Sequence, residues 1–172
     1  GADYVVRARS DGSARAPACC PGTLDIAAAI ELVERLGERA SGLGRVALPA
    51  RTGAGAPLAA GVVAVGPVAT APALRWQKLV AGRFPARPGE AAVHVWDAQA
   101  WKLGLGERIR LGEGAGATVL EVVGLVESPS TWTQASIYVT WPQYLRWSGQ
   151  PSFHVGSVAV RGEVGPLAQD MT

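Results

Sequence analysis

The chain has 172 residues, of which 48% are hydrophobic and 17% charged, and its formal net charge is +2. This length allows one compact domain or two small lobes, and the near-neutral charge argues against a nucleic-acid partner. Only two of the sixteen basic residues are lysines, Lys78 and Lys102. With the abundant alanine and glycine, this arginine bias is typical of a high-GC bacterium.

The first part of the chain predicts a layered α/β lobe over residues 1–73. Residues 23–40 predict one long helix, with Thr23 as its N-cap, because apolar residues recur there at helical spacing. The positions on this apolar face are Ile26, Ile30, Val33, Gly37 and Ala40. Short apolar runs predict strands at residues 2–8, 44–50 and 58–65. The order strand-helix-strand-strand predicts a helix packed on one face of a sheet.

The longest charge-free run covers residues 52–74 and is long enough to suggest a membrane span. Glycines and prolines interrupt it repeatedly, and a spanning helix tolerates so many breaks poorly. A buried strand bounded by turns is the favoured interpretation. The sequence begins without a signal-like segment and ends without a tail anchor, so as given it is expected to be soluble.

The second part predicts a smaller β-rich lobe over residues 74–135 and a return segment over residues 136–172. Residues 74–80 fit either a helical turn or a strand. Glycines at positions 112, 114 and 116 separate two alternating runs and predict a hairpin. The predicted strands are residues 91–95, 108–111, 118–126, 136–139 and 157–160, and the predicted short helices are residues 97–103 and 141–147. The fold class is therefore α+β.

Two adjacent cysteines, Cys19 and Cys20, lie in the loop PACCPG. A disulfide between neighbouring residues requires a strained ring, and a metal would need ligands besides the distant His94 and His154. Inert or dimer-crosslinking thiols are the favoured interpretation, with a redox pair or a metal site as alternatives. An extracytoplasmic location would favour oxidation.

No motif in the chain indicates an enzyme. There is no phosphate-binding loop, and the glycines at 104 and 106 are followed by Ile109 where a dinucleotide fingerprint requires glycine. His94 shares a strand face with Ala92 and Trp96, which predicts a half-exposed histidine. No catalytic residue, cofactor site or metal site is predicted.

An aromatic cluster near the end of the chain is the candidate partner or substrate surface. Its members are Trp132, Trp141, Tyr144 and Trp147. Tyr144 and Trp147 are three residues apart in a predicted helix and therefore share a side. Two interpretations remain open: the cluster covers a small core, or it forms an exposed patch that contacts a partner, a substrate or a membrane surface.

Residues 82–128 carry a distinctive succession of turns and strands. It reads G-R-x-P-x-x-P-G-E, an apolar strand, A-x-x-L-G-L, G-E-x-I-x-L and V-V-G-L. These positions are Gly82, Arg83, Pro85, Pro88, Gly89, Glu90, Ala100, Leu103, Gly104, Leu105, Gly106, Glu107, Ile109, Leu111, Val122, Val123, Gly124 and Leu125. The segment resembles the MacB-like periplasmic core domain, which is the extracytoplasmic domain of MacB/FtsX-type ABC transporter permeases.

The resemblance implies structural roles for the residues of two turns, Pro88, Gly89, Glu90, Gly104 and Gly106. Glu90 is expected to tie its turn together by hydrogen bonds. The resemblance also implies a two-lobed domain without catalytic residues, inserted between the first two transmembrane helices at the extracytoplasmic face of the cell membrane. Such a domain couples ATP-driven motion to export or to regulation of an extracytoplasmic protein or peptide. Its partners would be the permease helices and a separate ATPase subunit.

Two alternatives belong to other classes of protein. The A-x-x-L-G-L and G-E-x-I-x-L pattern also resembles double-psi β-barrel domains, which would make the chain a cofactor-binding domain of an enzyme. A secreted binding module with an aromatic ligand surface is the other alternative. Neither the adjacent cysteines nor the aromatic cluster matches a motif of the permease family.

Overall fold

The computed structural model describes residues 4–7, 25–128 and 135–162. Within these residues the chain forms nine strands and three α-helices, which confirms the α+β class. The strands are β1 (Tyr4–Arg7), β2 (Ala40–Thr52), β3 (Pro57–Pro67), β4 (Lys78–Gly82), β5 (Glu90–His94), β6 (Arg108–Leu111), β7 (Thr118–Glu127), β8 (Ile137–Val139) and β9 (His154–Val160). The helices are α1 (Ile26–Leu36), α2 (Val95–Trp101) and α3 (Trp141–Leu145).

Six of the strands close into a barrel. Going around it, β2 pairs with β3, β3 with β8, β8 with β5, β5 with β7, β7 with β6, and β6 returns to β2. The β3–β8 and β5–β7 pairs are parallel and the others antiparallel. β4 pairs with β7 outside this ring. The barrel uses strands from all three predicted segments, and the division into lobes at residue 73 stays a prediction.

A second, smaller set of strands extends from the barrel through the long strand β2. Residues 40–45 of β2 pair with β9, whereas residues 46–52 pair with β3 and β6. β9 pairs with β1 on its other side. Helix α1 packs against β2 and β9. We call β1, β9 and residues 40–45 the stem.

Helix α1 is shorter than the sequence predicts. It begins at Ile26, after Asp25 as the N-cap, whose Oδ1 accepts a hydrogen bond from Ala28 N at 2.9 Å. Thr23 lies outside the described residues. The helix ends at Leu36, because Gly37 adopts φ 55° and turns the chain toward β2. The buried residues of the helix are Ala29, Leu32 and Val33, so the predicted face is wrong at the partly exposed Ile30. Gly37 and Ala40 lie beyond the end of the helix, and Ala40 is buried as the first residue of β2.

The charge-free run contains a barrel strand, β3, as predicted. Its residues Val63 and Val65 are buried in the barrel core. None of the helices in the described part of the chain is long and apolar enough to cross a membrane.

Most other elements lie close to their predicted positions. β6 and β7 form the predicted hairpin. Of the two interpretations of residues 74–80, the strand is found, as β4 from Lys78, and the 3-10 turn at Pro72–Leu74 precedes the segment and overlaps it only at Leu74. α2 begins two residues early, at Val95, because His94 already acts as its N-cap. β9 begins at His154 because its first residues pair with β2, which extends further toward the stem than predicted.

Candidate functional site

The Pro-Gly-Glu turn before β5 is built around the carboxylate of Glu90. Arg83 donates two hydrogen bonds to it, at 2.6 and 2.7 Å, Arg87 Nε donates one at 3.0 Å, and the backbone N–H of Ala86 donates one at 2.9 Å. The Glu90 side chain is almost fully buried, and both arginine side chains are more than half exposed. One carboxylate thus holds the 83–90 loop in a fixed shape.

These contacts determine the protonation state of the site. The hydrogen bonds from Arg83 are the largest influence and lower the pKa of Glu90 to about 2, with further contributions from Ala86 and Arg87. The same contact raises the pKa of Arg83. A carboxylate ionised this strongly does not exchange protons near neutral pH, so Glu90 is suited to holding the turn and unsuited to acid–base catalysis.

The two predicted turns lie beside the barrel. Gly89 adopts φ 90°, and its N–H donates to Oε1 of the buried Gln143 in α3 at 3.1 Å. In the second turn, Glu107 accepts a hydrogen bond from the N–H of Gly104 at 2.7 Å. Gly106 adopts φ 86°, and its N–H donates to the carbonyl of Val122 in β7 at 2.8 Å. The first turn is therefore attached to helix α3 and the second to the barrel strand β7.

The aromatic cluster does not form one exposed patch. Tyr144 is 0% exposed and Trp147 5% exposed, and both belong to the main hydrophobic core. The surface interpretation is therefore wrong for these two residues: Tyr144 in α3 and Trp147 in the turn after it both face the core. Trp141 is half-buried, and its ring lies 5.8 Å from that of Tyr144. Trp132 lies outside the described residues, as do Cys19 and Cys20.

A cleft of about 280 Å³ lies beside Trp141, between the end of α1, the start of β2 and the segment after β3. The indole ring covers Gly42 so closely that a β-carbon there would overlap it. Its lining includes the exposed Glu34 and Glu38 together with Val68 and Pro142. Among the described members of the aromatic cluster, Trp141 is the most exposed.

The stem brings two distant parts of the chain together. β1 and β9 are antiparallel, with Tyr4 opposite Val160 and Arg7 opposite Ser157. Paired residues in such a ladder have Cα atoms about 5 Å apart. Next to this pair, the N–H of Arg161 donates to the carbonyl of Arg39 at 2.8 Å, and Arg39 Nε donates to the carbonyl of Arg161 at 3.2 Å. The chain therefore enters and leaves the barrel region along two neighbouring strands.

The junction between stem and barrel is a break in the ladder. The register between β2 and β9 shifts at Leu43 and Gly44. There the hydroxyl of Tyr144 donates to the carbonyl of His154 at 2.6 Å, and burial raises the pKa of that hydroxyl. A β-carbon at Gly44 would overlap the His154 carbonyl and lie 2.9 Å from the Tyr144 oxygen. The sequence gives no local signal for this contact, because its three partners come from β2, α3 and β9.

His94 is buried, at 3% exposure, so the prediction of a half-exposed strand residue is wrong. The strand ends at His94 and its Nδ1 accepts a hydrogen bond from the N–H of Trp96 at 3.4 Å. Trp96 is consequently on helix α2 and is 74% exposed. Within the described residues, no three His, Cys, Asp or Glu side chains are grouped to hold a metal ion.

The fold is a closed barrel extended by the three-stranded stem, and comparison with known proteins shows where similar domains occur. No family model matches the sequence, and no curated protein matches it. Solved structures do match. The chain resembles the extracellular domain of the noncanonic ABC-type transporter YknZ from Gram-positive bacteria, with a TM-score of 0.57 and 13% identity over 98% of this chain and 88% of that one.

A domain of a Porphyromonas gingivalis protein assigned as a permease is also similar. The TM-score is 0.53 and the identity 16%, over 86% of this chain and 66% of that one. At these identities the comparisons establish a common fold. One neighbour is thus an extracellular domain of an ABC-type transporter and the other a domain of a protein assigned as a permease, in agreement with the resemblance of residues 82–128.

Proposed function

We propose that the chain is the extracytoplasmic domain of an ABC transporter permease. The observation that carries this proposal is the fold it shares, over 98% of its length, with the extracellular domain of an ABC-type transporter. In this role the domain has no catalytic activity. The remainder of the permease would anchor it in the cell membrane, and a separate ATPase subunit would supply the energy.

The stem supports a mechanical role. Two adjacent antiparallel strands suit a domain inserted between two neighbouring membrane helices, since the chain must arrive and leave at nearly the same place. Strand β2 pairs with β9 in its first half and with barrel strands in its second half. Motion of the membrane helices would reach the barrel through this one continuous strand. The Tyr144–His154 hydrogen bond would hold the junction during that motion.

The cleft beside Trp141 is the proposed partner surface of the coupling domain. It lies where α1 and the start of β2 meet the segment after β3, next to the stem. An extracytoplasmic protein or peptide that contacts it would respond directly to movement of the stem. The closed barrel is the structural feature that supports the alternative of a cofactor-binding enzyme domain. The solved structures that resemble the chain favour the permease domain instead.

A domain replacement tests the proposal in the full-length parent protein. Because Tyr4 and Val160 are paired, a short Gly-Ser linker can replace residues 4–160 without separating the flanking segments. We expect the shortened permease to stay in the membrane with its ATPase subunit and to fail to complement a deletion strain. The matched control carries Glu113→Gln, an exposed change in the β6–β7 turn, and should complement. A parent protein found without any ATPase subunit in the membrane would contradict the proposal.

A further inference from the structure

A second pocket lies on the barrel, away from the Trp141 cleft. It has a volume of about 440 Å³ and lies where β5 and β7 end and β4 begins. Its lining residues are Trp76, Lys78, His94, Trp96, Glu127 and Ser128. This volume is within the roughly 300–1,000 Å³ of small-molecule sites, which often lie at the ends of barrels.

Two indole rings flank this pocket. Trp96 is 74% exposed, more than any other large hydrophobic side chain of the described residues. Its ring meets the buried His94 ring edge-on, with 5.5 Å between the centroids. Trp76 meets Tyr138 in the same way, at 5.8 Å. Because aromatic neighbours contact both rings, they offer flat apolar surface at a small cost in conformational entropy.

The charged residues of the pocket balance each other. Lys78 on β4 faces Glu127 on β7 as a cross-strand pair, and both are exposed. Neither belongs to an ion pair among the described residues. An anion would be attracted by Lys78 and repelled by Glu127. A cation would be attracted by Glu127 and repelled by Lys78. The site therefore favours a neutral ligand that uses both a hydrogen-bond donor and an acceptor.

We propose that this pocket binds a ring of a neutral carbohydrate. A pyranose has an apolar C–H face that can stack on an indole, and hydroxyl groups that both donate and accept hydrogen bonds. Trp96 would carry the stacked ring, with Lys78 donating to the ligand and Glu127 accepting from it. This carbohydrate binding is additional to the proposed coupling role and does not depend on it.

Isothermal titration calorimetry of the 172-residue chain tests the proposal, with chitotetraose, cellotetraose and maltotetraose as probes. We expect saturable binding of at least one of them at millimolar concentration. Trp96→Ala should weaken that binding by about tenfold or more, because the stacking surface is lost. The exposure of Trp96 means that the thermal midpoint should change little. Val62→Ala removes another exposed apolar side chain, outside the pocket lining, and should bind normally.

Two results would overturn the proposal. One is the absence of saturable binding to all three oligosaccharides, and the other is equal affinity in the wild type and in Trp96→Ala. Sedimentation with phosphatidylcholine vesicles tests whether Trp96 instead contacts a membrane. Vesicle binding that requires Trp96, without sugar binding, would make Trp96 a membrane contact and refute the carbohydrate site.

Discussion

Replacing Glu90 by glutamine should loosen the 83–90 loop by a predictable amount. The substitution keeps the shape of the side chain and removes its charge, so the hydrogen bonds from Arg83 and Arg87 lose their ionic partner. Hydrogen bonds to charged groups contribute about 1.5–3 kcal/mol. Both arginine side chains are more than half exposed and can be rehydrated, and the amide oxygen can still accept from Ala86. We therefore expect a loss of about 2 kcal/mol, or roughly 4–8 °C in Tm.

The pH dependence gives this prediction a second, independent signature. The folded-state pKa of Glu90 is about 2, below the ordinary value of 4.5 expected in the unfolded chain. The carboxylate therefore stabilises the fold fully above about pH 4.5, and this contribution is lost as the pH falls toward 2. The difference in unfolding free energy between wild type and Glu90→Gln should shrink across that window.

Urea denaturation followed by tryptophan fluorescence, at several pH values from neutral to about 2.5, measures this difference. Glu113→Gln serves as the control, because Glu113 is exposed and its replacement should change stability by less than about 0.5 kcal/mol. The reasoning would be refuted by a Glu90→Gln effect no larger than the control. A large effect that does not change with pH would refute the electrostatic part.

Three further predictions concern the stem and its supports. Gly44→Ala should destabilise the chain by more than about 2 kcal/mol in thermal denaturation, whereas Gly156→Ala, whose β-carbon would meet only the Leu43 carbonyl at 3.8 Å, should be nearly neutral. Tyr144→Phe should cost about 1 kcal/mol and speed amide hydrogen exchange in β9, since it removes the bond to the His154 carbonyl. Asp25→Ala should cost about 1 kcal/mol by loss of the N-cap, seen as lower helical circular dichroism on heating, and an unchanged midpoint would contradict the cap assignment.

The sequence pattern predicts the elements that are determined by residues close together in the chain. The β6–β7 hairpin follows from glycines between two alternating runs, and β3 follows from an apolar run too broken to be a membrane helix. Glu90 and its turn are compact in sequence, with all four donors within seven residues. Such features are encoded within about twenty consecutive residues and can be recognised from spacing alone.

Contacts between distant segments were the part that the sequence did not reveal. Barrel closure depends on β6 pairing with β2, more than fifty residues earlier, and no property of either strand specifies the other. The same holds for the pairing of β1 with β9. The apolar spacing of residues 23–40 predicts one helix, and that spacing continues through Gly37, whose conformation ends the helix.

The aromatic residues show the same limit. Tyr144 in α3 and Trp147 in the following turn face the same way, as their spacing predicts, but spacing does not say whether that side faces the core. The sequence pattern predicts a shared strand face for His94 and Trp96, but the helix that starts between them leaves His94 buried and Trp96 exposed. The strand pattern therefore gives no indication that Trp96 is the most exposed large hydrophobic residue of the described chain.

The location of the domain relative to the membrane tests the central claim most directly. In the full-length parent protein, with Cys19 and Cys20 replaced by serine, a cysteine introduced by Glu113→Cys can be labelled with a membrane-impermeant maleimide in intact cells. The exposed β6–β7 turn makes this position accessible from solvent. We expect labelling before lysis, with a cytoplasmic control protein unlabelled. Labelling that requires lysis would place the domain inside the cell and contradict the account.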